Sequence, residues 1–576
     1  MAAKTAGGAM AGVTRAGLRT AGGTARMAVS TARYGATTAA GMPGRAARAG
    51  RALVDFHPRR RARRVWTGHD RAHIEVRGLE HGGRRRERLA TGVTRSLRRL
   101  NGVRWAEVNA VTGQVLLSFD ERRIGVDRLL EAVRSAEKAQ GVQDDEFAWA
   151  QPVTPGDDAA VAATAMELLV DCAAVSAAAV LRIFRLPSLP RGVPALVAAL
   201  ELERELRGPL VRRIGPFETD FLLSLVSTTV NGLSDGIGMP AVDAVNRMLL
   251  LGEARARRQV WEGRERDLCP GPNCVPHTRP PRHMRGRARP PGPVEQWEQL
   301  LAPFAPLTAA SVLVLTGSPG RAADALLAAV PRAARYGREG FASAVGRDLA
   351  RRGVVPLDPS VLRLLDLVSA IVIDSDVLLD GQPVAERRLN PLAASVLVAA
   401  RSGRARVVLT DDDRIGNLLS AADQITDPAE PLADRVRDLQ RQGEGVLAVS
   451  GTDAEALAAA DVAVAVPETP GAEASWSADL VCAAGLEDVW RILRAVAAAD
   501  PVSQRSVRCA LAGSAFGTLF ALVGRRRGIT HAMTPVHTAS LIALLWGATT
   551  GRRATRGPAP TPGVSRSANR EDTSRR

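Results

Sequence analysis

Uninterrupted apolar runs mark the parts of the chain that could enter a membrane. Segments 300–317 and 529–551 contain no charged residue, and a similar apolar run occupies 509–524. At roughly 16 to 23 residues, each run is long enough to cross a bilayer as a helix. The apolar stretches within 158–251 are interrupted by acids, so their pattern fits either a membrane region or a buried helical bundle.

Four acids lie inside those interrupted stretches. In a membrane they would mark an ion path, because charged groups within a bilayer are rare and usually functional. In a packed bundle they would be solvated or paired with arginine, and the sequence leaves both interpretations open. The four acids are Glu167, Asp171, Asp220 and Asp235.

A different pattern fills residues 355–490, where short β-rich runs alternate with helical patterns. The runs SAIVIDSD, RARVVLTDDD, GEGVLAVSG and DVAVAV end near Asp, Thr or Gly, and helical patterns separate them. This alternation predicts a parallel sheet with helical crossovers, a Rossmann-like α/β unit. Functional groups in such sheets gather at the carboxyl ends of the strands.

Residues 69–140 predict a second, smaller unit. An extended run at 73–78 precedes a helical run near 85–100, and a second helical run lies at 126–138. Between the two helices, apolar and polar residues alternate on both sides of the turn at Thr112 and Gly113, which indicates a β-hairpin. The predicted order is βαββα, so the fold class is α/β plus membrane helices.

The chain is strongly basic, with a net charge of +17, and almost all of the positive charge is arginine. Lys4 and Lys138 are its only lysines, and no basic stripe is interleaved with aromatic residues, so we expect no nucleic-acid partner. Segment 1–68 carries Arg, Ala and Gly and predicts a disordered basic arm, and the polar tail 553–576 predicts disorder as well.

The Arg/Pro-rich connector at 252–299 contains one possible metal site. Its cysteines and histidines follow a C-x4-C-x2-H-x5-H spacing, which is near that of zinc ligands. A connector without a hydrophobic scaffold is the alternative interpretation, and the surrounding run of Pro and Arg favours it, so we predict no metal centre there. The four candidate ligands are Cys269, Cys274, His277 and His283.

Polar residues at three strand ends of the α/β unit form the main candidate site. Asp374 and Asp376 close the run IVIDSD, Thr410 ends VVLT, and Asp453 follows VLAVSGT. This layout resembles the haloacid-dehalogenase-like phosphotransfer core. The resemblance implies that the first aspartate attacks phosphorus, that threonine and a basic residue bind phosphate oxygens, and that a late acid holds magnesium.

The order of these blocks resembles the phosphorylation domain of cation-transporting P-type ATPases. RARVVLTDDD is similar to the family's strand ending in Thr-Gly-Asp, and VLAVSGTDAEALAAADVAVAV is similar to its Gly-Asp-Gly-x-Asn-Asp block. EPLADRVRDLQRQG resembles the helix that carries Pro-Glu-Asp-Lys. On that pattern, Asp374 stands at the phosphorylated aspartate and Arg435 at the conserved lysine.

The resemblance extends over about 480 residues of the chain. Residues 69–140 resemble a heavy-metal-associated domain of ferredoxin-like fold. Residues 300–354 resemble the third and fourth membrane helices of the pumps, and 500–552 occupies the place of the fifth and sixth. Residues 158–251 then form a first membrane or helical region, and 355–490 a reduced phosphorylation domain.

Several residues depart from the family pattern at positions that matter for transport. His81 and Arg84 replace the two metal-binding cysteines of the heavy-metal-associated domain, and Arg332 follows Pro331 where cation pumps place a transport ligand. Ser450 replaces the magnesium-binding aspartate. A fixed positive charge repels a cation, and the missing carboxylate weakens magnesium binding.

The internal spacing also lacks room for two domains of the family. The connector at 252–299 is too short for an actuator domain, and the roughly 35 residues between Asp374 and Thr410 are too few for a nucleotide-binding domain. We therefore predict a multi-pass protein of the cell membrane, with cytoplasmic soluble units, that is catalytically degenerate and assembles with or regulates a complete P-type ATPase.

An active enzyme is the alternative. It would be a cation-transporting ATPase or a membrane-tethered phosphohydrolase that uses Asp374 and Mg²⁺, since the run DSDVLL from Asp374 to Leu379 also fits the general phosphatase signature Asp-x-Asp-x-x-Leu. The degenerate interpretation requires no cofactor, and its partners are the lipid bilayer and a complete pump.

Overall fold

The architecture comes from a computed structural model. It describes residues 63–79, 83–143, 147, 155–184, 238–272, 275, 290–301, 304–329, 332–380, 387–468, 472–483, 485–523, 533–557 and 559–560.

The N-terminal unit is a four-stranded antiparallel sheet covered by two helices. Its elements are β1 (Val65–Gly68), β2 (Arg71–Glu75), α1 (Arg84–Arg98), β3 (Val103–Asn109), β4 (Gln114–Phe119) and α2 (Val126–Ala139). The strands lie in the order β1-β2-β4-β3, and the helices pack their apolar residues on one face of the sheet.

Strand β1 lies inside the segment predicted as a disordered arm, so that boundary is corrected. His69 and Asp70 join β1 to β2 with φ angles of 45° and 63°. Positive φ at both central residues is the geometry of a tight hairpin turn, which usually carries Asn-Gly or Asp-Gly. His-Asp is a weak turn signal, so the sequence pattern did not reveal this hairpin.

In the described part of the chain, eight α-helices lie between the N-terminal unit and the α/β unit or follow the α/β unit. They are α3 (Asp158–Ile183), α4 (Gly238–Leu268), α5 (Pro293–Leu301), α6 (Phe304–Thr316), α7 (Pro319–Ala329), α8 (Arg332–Ala350), α13 (Leu486–Val523) and α14 (Thr534–Arg556). Three segments among the described residues, Ala160–Val180, Pro293–Thr316 and Leu486–Val523, are long and apolar enough to cross a membrane.

Helix α14 contains nearly all of the described part of 529–551 and is not one of the three candidate spans of the described residues, so the membrane helix expected there stays a prediction. Small residues lower its hydropathy and let it approach its neighbours closely. A Cβ atom added to Gly547 would lie 2.0 Å from the carbonyl oxygen of Gly337 on α8. Close approach of two backbones through small residues is a common way for helices to pack in a membrane region.

The α/β unit contains a seven-stranded sheet and a separate pair of short strands. The sheet consists of β5 (Val355–Pro356), β6 (Val368–Ile373), β9 (Arg406–Thr410), β10 (Gln424–Thr426), β11 (Gly445–Ser450), β12 (Val462–Ala465) and β13 (Leu480–Val481), and the pair consists of β7 (Leu379–Asp380) and β8 (Arg388–Leu389). The order in the sheet is β10-β9-β6-β11-β12-β13-β5, and all neighbours are parallel except β13 and β5.

Helices cover both faces of this sheet, and its central strands are buried. The remaining helices are α9 (Ala393–Arg401), α10 (Leu432–Arg441), α11 (Ala454–Ala459) and α12 (Glu473–Ser477). One face packs against α8, α9 and α13, and the other packs against α10 and α11. Burial on both faces explains why β6, β9 and β11 are continuous apolar runs in the sequence.

A buried ion cluster ties α4 and α8 to the start of the α/β unit. The guanidinium of Arg363 donates to both carboxylate oxygens of Glu253 at 2.8 and 2.7 Å, and to Glu339 at 3.1 Å. Arg257, also on α4, donates to the carbonyl oxygens of Pro356 and Leu357 at 2.6 Å each. Burial lowers the pKa of Arg257 to about 10, still well above neutrality.

The open face of the N-terminal sheet packs against α4 and α12 through an aromatic cluster. The rings of Trp66 and His73 lie 5.9 and 5.3 Å from that of Trp261, and the ring of Trp476 lies 6.4 Å from it. His73 Nε2 is 2.8 Å from a carboxylate oxygen of Glu265. Both faces of the sheet are therefore covered, one by its own helices and one by the rest of the chain.

Candidate functional site

Three neighbouring strands bring the predicted site together at their carboxyl ends. Strands β9, β6 and β11 are adjacent in the sheet, and they end at Thr410, Ile373 and Ser450. The backbone N–H of Asp374 donates to the Val449 carbonyl at 2.9 Å. The N–H of Ser375 donates to Thr410 Oγ1 at 2.7 Å, so the first aspartate is held between its two neighbouring strands.

The Ser450 hydroxyl is hydrogen-bonded to the side chain of Asp374. It donates to Asp374 Oδ2 at 2.8 Å and accepts the backbone N–H groups of Thr452 and Asp453 at 3.3 and 3.0 Å. The two incoming N–H groups orient the hydroxyl, so that its proton points at the carboxylate. A neutral hydroxyl thus supplies the hydrogen bond at the position where the sequence pattern expected a magnesium-binding acid.

The Asp374 carboxyl has an unusual environment for an aspartate. Burial raises its pKa above the ordinary value, the charges of Asp376 and Asp453 raise it further, and the hydrogen bond from Ser450 acts in the opposite direction. Because the charged form is disfavoured by burial, an added positive charge or a proton would stabilise this group.

Two arginines that the sequence analysis did not single out neutralise Asp376. Arg414 lies 2.7 Å from Asp376 and 2.6 Å from Asp412, while Arg387 lies 3.9 Å from Asp376 and 2.5 Å from Glu468. The hydrogen bonds from Arg414 lower the pKa of Asp412. Arg414 directly follows the TDDD run at the end of β9. That position could have indicated a basic residue close to the site.

The other two predicted site residues have structural partners instead. Arg435 donates a hydrogen bond to the Gln424 side chain on β10, and within the described residues it makes no hydrogen bond or ion pair with Asp374. The Asp453 carboxylate accepts the N–H of Ala456 at 2.8 Å and caps the start of α11. Side-chain caps of this kind typically contribute about 1 kcal/mol to stability.

Comparison with known proteins finds curated relatives of the chain. No family model matches it. It is 27% identical to a "probable cation-transporting ATPase I" of Mycobacterium tuberculosis over 631 aligned positions, which cover 86% of this chain and 38% of that protein. A protein of the same name from Mycobacterium leprae is 27% identical over 659 positions, covering 89% of this chain and 40% of the relative.

The chain is similar in sequence to probable cation-transporting ATPases. It spans about two fifths of the length of these curated relatives. Two solved structures of a zinc-transporting PIB-type ATPase, in different conformational states, are similar over 53% of this chain and 67% of theirs. Their sequence identities are 12% and 13%, with TM-scores of 0.33 and 0.36.

The donor set does not fit a magnesium ion of the P-type ATPase kind. Among the described residues, no group of three or more His, Cys, Asp or Glu side chains converges as a metal site. Asp376 is bound by two arginines, Asp453 caps a helix, and Ser450 directs its proton to Asp374. Magnesium prefers several oxygen ligands in octahedral order.

The possible zinc site in the connector is only partly described. Cys269 is disulfide-bonded, which would remove one thiolate from the candidate ligand set. Cys274, His277 and His283 lie outside the described residues, so the spacing of the four residues remains a sequence observation.

The acids that the sequence offered as a possible ion path are paired with arginine where the structure describes them. Arg247 on α4 lies 2.9 Å from Glu167 and 4.0 Å from Asp171, both on α3. The acids of α3 are therefore paired with arginine, the second of the two interpretations that the sequence left open. Arg332 begins α8 and Arg84 begins α1, whereas His81, Asp220 and Asp235 lie outside the described residues.

Proposed function

We propose that this chain is a catalytically degenerate P-type ATPase module in the cell membrane, which assembles with or regulates a complete pump. The observation that carries the proposal is the pairing of Asp374 with the Ser450 hydroxyl, at 2.8 Å, beside an Asp376 that is bound by Arg414. The negative charges at the strand ends are therefore compensated by side chains of the protein itself.

The electrostatics of phosphoryl transfer support this proposal. A transferred phosphoryl group needs cations that bridge its oxygens, and P-type chemistry requires a carboxylate nucleophile that can ionise. Here the Asp374 carboxyl accepts a hydrogen bond from Ser450, and the guanidinium of Arg414 is already bound by Asp412 and Asp376. Arg435 stands at the sequence position of the family's phosphate-binding lysine, but it donates its hydrogen bond to the Gln424 side chain.

The internal lengths of the chain agree with the same proposal. Only about 35 residues separate Asp374 from Thr410, and the chain from 269 to 292 joins α4 to α5. Domains are typically about 50 residues or more. These connections leave no space for domains that bind ATP and position water.

The finer assignments belong to the proposal as well. The 63–143 unit would be a relic of a heavy-metal-associated domain with ferredoxin-like fold, and the seven-stranded unit a reduced haloacid-dehalogenase-like phosphorylation domain. Both would lie in the cytoplasm, on a multi-pass membrane region that includes Ala160–Val180, Pro293–Thr316 and Leu486–Val523.

Phosphoenzyme formation tests catalytic degeneracy directly. Purified full-length chain in detergent would be incubated with labelled ATP and Mg²⁺, next to the Asp374→Asn variant and a complete P-type ATPase as positive control. We expect no acid-stable, hydroxylamine-sensitive label in either form of this chain. A label that disappears in Asp374→Asn would overturn the proposal.

The partner role needs its own experiment. The tagged chain would be expressed with a complete pump from the same source, extracted in mild detergent and purified by the tag. We expect the pump to co-purify at a fixed ratio, and its transport rate to change when the chain is present. Absence of both effects would leave a degenerate protein without this role, and would contradict the second half of the proposal.

An active phosphohydrolase is the second candidate, and one observation favours it. Asp374, Asp376 and Thr410 do meet at the strand ends, with Thr410 Oγ1 accepting the Ser375 N–H at 2.7 Å. A Mg²⁺-dependent hydrolysis of small phosphate esters that is lost in Asp374→Asn would establish this candidate in place of the first.

A further inference from the structure

A basic cavity lies at the end of the α/β sheet opposite to Asp374. Its volume is about 540 Å³, and it is lined by the start of β6, the Ser402–Ala405 turn before β9, and the middle of α13. A second cavity of about 470 Å³ shares many of these residues and reaches α5 at Trp297. Three arginines, Arg404, Arg505 and Arg508, line the first cavity.

The acids in the lining are already compensated. Asp366 accepts a hydrogen bond from Ser503 at 2.6 Å and lies 3.3 Å from Arg338. Asp500 accepts the side-chain amide of Gln504 at 2.9 Å and lies 3.6 Å from Arg404.

The remaining two arginines have no acidic partner within the described part of the chain. Arg508 forms neither an ion pair nor a hydrogen bond there, and the guanidinium of Arg505 lies over the Trp546 ring at 5.2 Å. Both side chains are exposed on α13. The cavity therefore carries a surplus of positive charge with free donor groups.

The position of these arginines along α13 indicates where they would lie relative to a bilayer. They directly precede 509–523, which contains no charged residue and belongs to one of the candidate membrane spans. Trp546 is 40% exposed and Trp297 is 36% exposed beside the same region. Tryptophan and arginine at the end of an apolar span mark the headgroup layer of a bilayer.

Beyond the arginines, an apolar surface continues along the same helix. Phe516, Leu519 and Phe520 are 57%, 49% and 39% exposed on α13 in the described part of the chain. A ligand that filled the cavity with a charged group could extend acyl chains along this surface.

We propose that this cavity binds the phosphate of an anionic membrane lipid. Guanidinium groups bind phosphate oxygens in pairs, and basic pockets at the headgroup layer select anionic lipids. The cavity volume lies within the range of about 300 to 1,000 Å³ that is typical of small-molecule sites. The inference requires insertion in a membrane and is independent of whether Asp374 is phosphorylated.

Lipid-dependent thermal stability tests the site. The full-length chain in detergent would receive phosphatidylglycerol or phosphatidylcholine, and Tm would be measured for wild type, the Arg505→Gln/Arg508→Gln double variant and Arg553→Gln. Arg553 is an exposed arginine on α14, just beyond its apolar part, and serves as the matched control. We expect phosphatidylglycerol to raise Tm by several degrees more than phosphatidylcholine.

The variants separate a built site from general surface charge. The extra stabilisation should vanish in the double variant and persist in Arg553→Gln. Equal effects of both lipids on wild type, or an equal loss in Arg553→Gln, would overturn the proposal. A full response to glycerol 3-phosphate alone would identify a soluble phosphate ester as the ligand and would also overturn it.

Native mass spectrometry gives a second measurement that does not depend on unfolding. Wild type released from mixed micelles should retain phosphatidylglycerol at low stoichiometry, with roughly tenfold preference over phosphatidylcholine, as expected for a difference of about 1.4 kcal/mol in binding free energy. Retention without preference would contradict the proposal, even if the double variant proved unstable.

Discussion

Ser450 Oγ donates to Asp374 Oδ2 at 2.8 Å, where two adjacent strands end side by side. A carboxylate in place of this buried hydroxyl would face a second carboxylate at close range. We expect Ser450→Asp to lower the free energy of unfolding by roughly 1 to 3 kcal/mol, through like-charge repulsion and loss of the donated proton.

Ser450→Asn is the matched control, because asparagine has nearly the same volume as aspartate without its charge. Chemical unfolding with and without Mg²⁺ would measure both variants. Magnesium should restore stability to Ser450→Asp alone; an aspartate variant as stable as the asparagine variant in the absence of metal would contradict the expectation.

The raised pKa of Asp374 has a definite consequence for stability. The folded protein holds this proton more tightly than the unfolded chain, so stability falls as pH rises from the ordinary aspartate range through the raised pKa, and the loss persists at neutral pH. Asp374→Asn removes the titration. We expect the variant to be more stable than wild type near pH 7, and the difference to shrink below about pH 4.

Thermal unfolding across that pH range checks the Asp374→Asn prediction. Asp411→Asn, which changes an exposed acid at the neighbouring strand end, is measured beside it as the control for the general effect of removing one carboxyl. A constant difference between Asp374→Asn and wild type at all pH values would show that the carboxyl does not titrate in this way.

The contact between α8 and α14 predicts a sharp response to one methyl group. Gly547→Ala would place its Cβ 2.0 Å from the Gly337 carbonyl oxygen, so the two backbones must separate. We expect a loss of about 1 to 3 kcal/mol in unfolding free energy. Gly263→Ala on α4, where an added Cβ meets no atom within 4 Å, should instead gain up to about 1 kcal/mol.

The packing of Trp261 predicts that this side chain holds the N-terminal unit against α4. Its side chain is fully buried between Trp66, His73 and Trp476. Trp261→Ala should cost about 3 to 5 kcal/mol locally. Hydrogen exchange should then rise in β2, whereas amides of α1 and α2 stay protected by their own core.

The half-exposed Trp297→Ala serves as control for that experiment and should leave the exchange of β2 unchanged. Uniform exchange across the whole 63–143 unit in Trp261→Ala would mean that the unit depends on its docking for folding.

The strand ends of the α/β unit could be predicted from the sequence because each is a short apolar run closed by a polar residue. Ser375, directly after Asp374, donates its backbone N–H to Thr410 Oγ1, as expected for the ends of adjacent parallel strands. The β1 hairpin was missed, since His69 and Asp70 adopt positive φ without the usual turn residues. The close packing of α14 on α8 was not predicted either, because the absence of charge in 529–551 does not reveal which of its small residues face a neighbouring helix.

The side-chain partners within the site were beyond the sequence. Arg414 reaches Asp376 from the 3-10 helix after β9, and Arg387 reaches it from the residue before β8. Arg435 lies on the expected helix, yet its long side chain reaches Gln424. A sequence pattern can predict where the backbone of a residue lies in a fold. The side-chain conformation of an arginine depends on all of its spatial neighbours, which the pattern does not give.

Helix α13 joins the sheet and the apolar layer as one continuous rod of about 57 Å, from its 38 residues. Pro501 interrupts its ladder of hydrogen bonds, so the Ala497 carbonyl loses its intrahelical donor beside the basic cavity. The rod is therefore weakest in bending at that point. A ligand that fills the cavity would stiffen the helix at this position. A tilt of the sheet would then be passed along α13 to its apolar part in the bilayer.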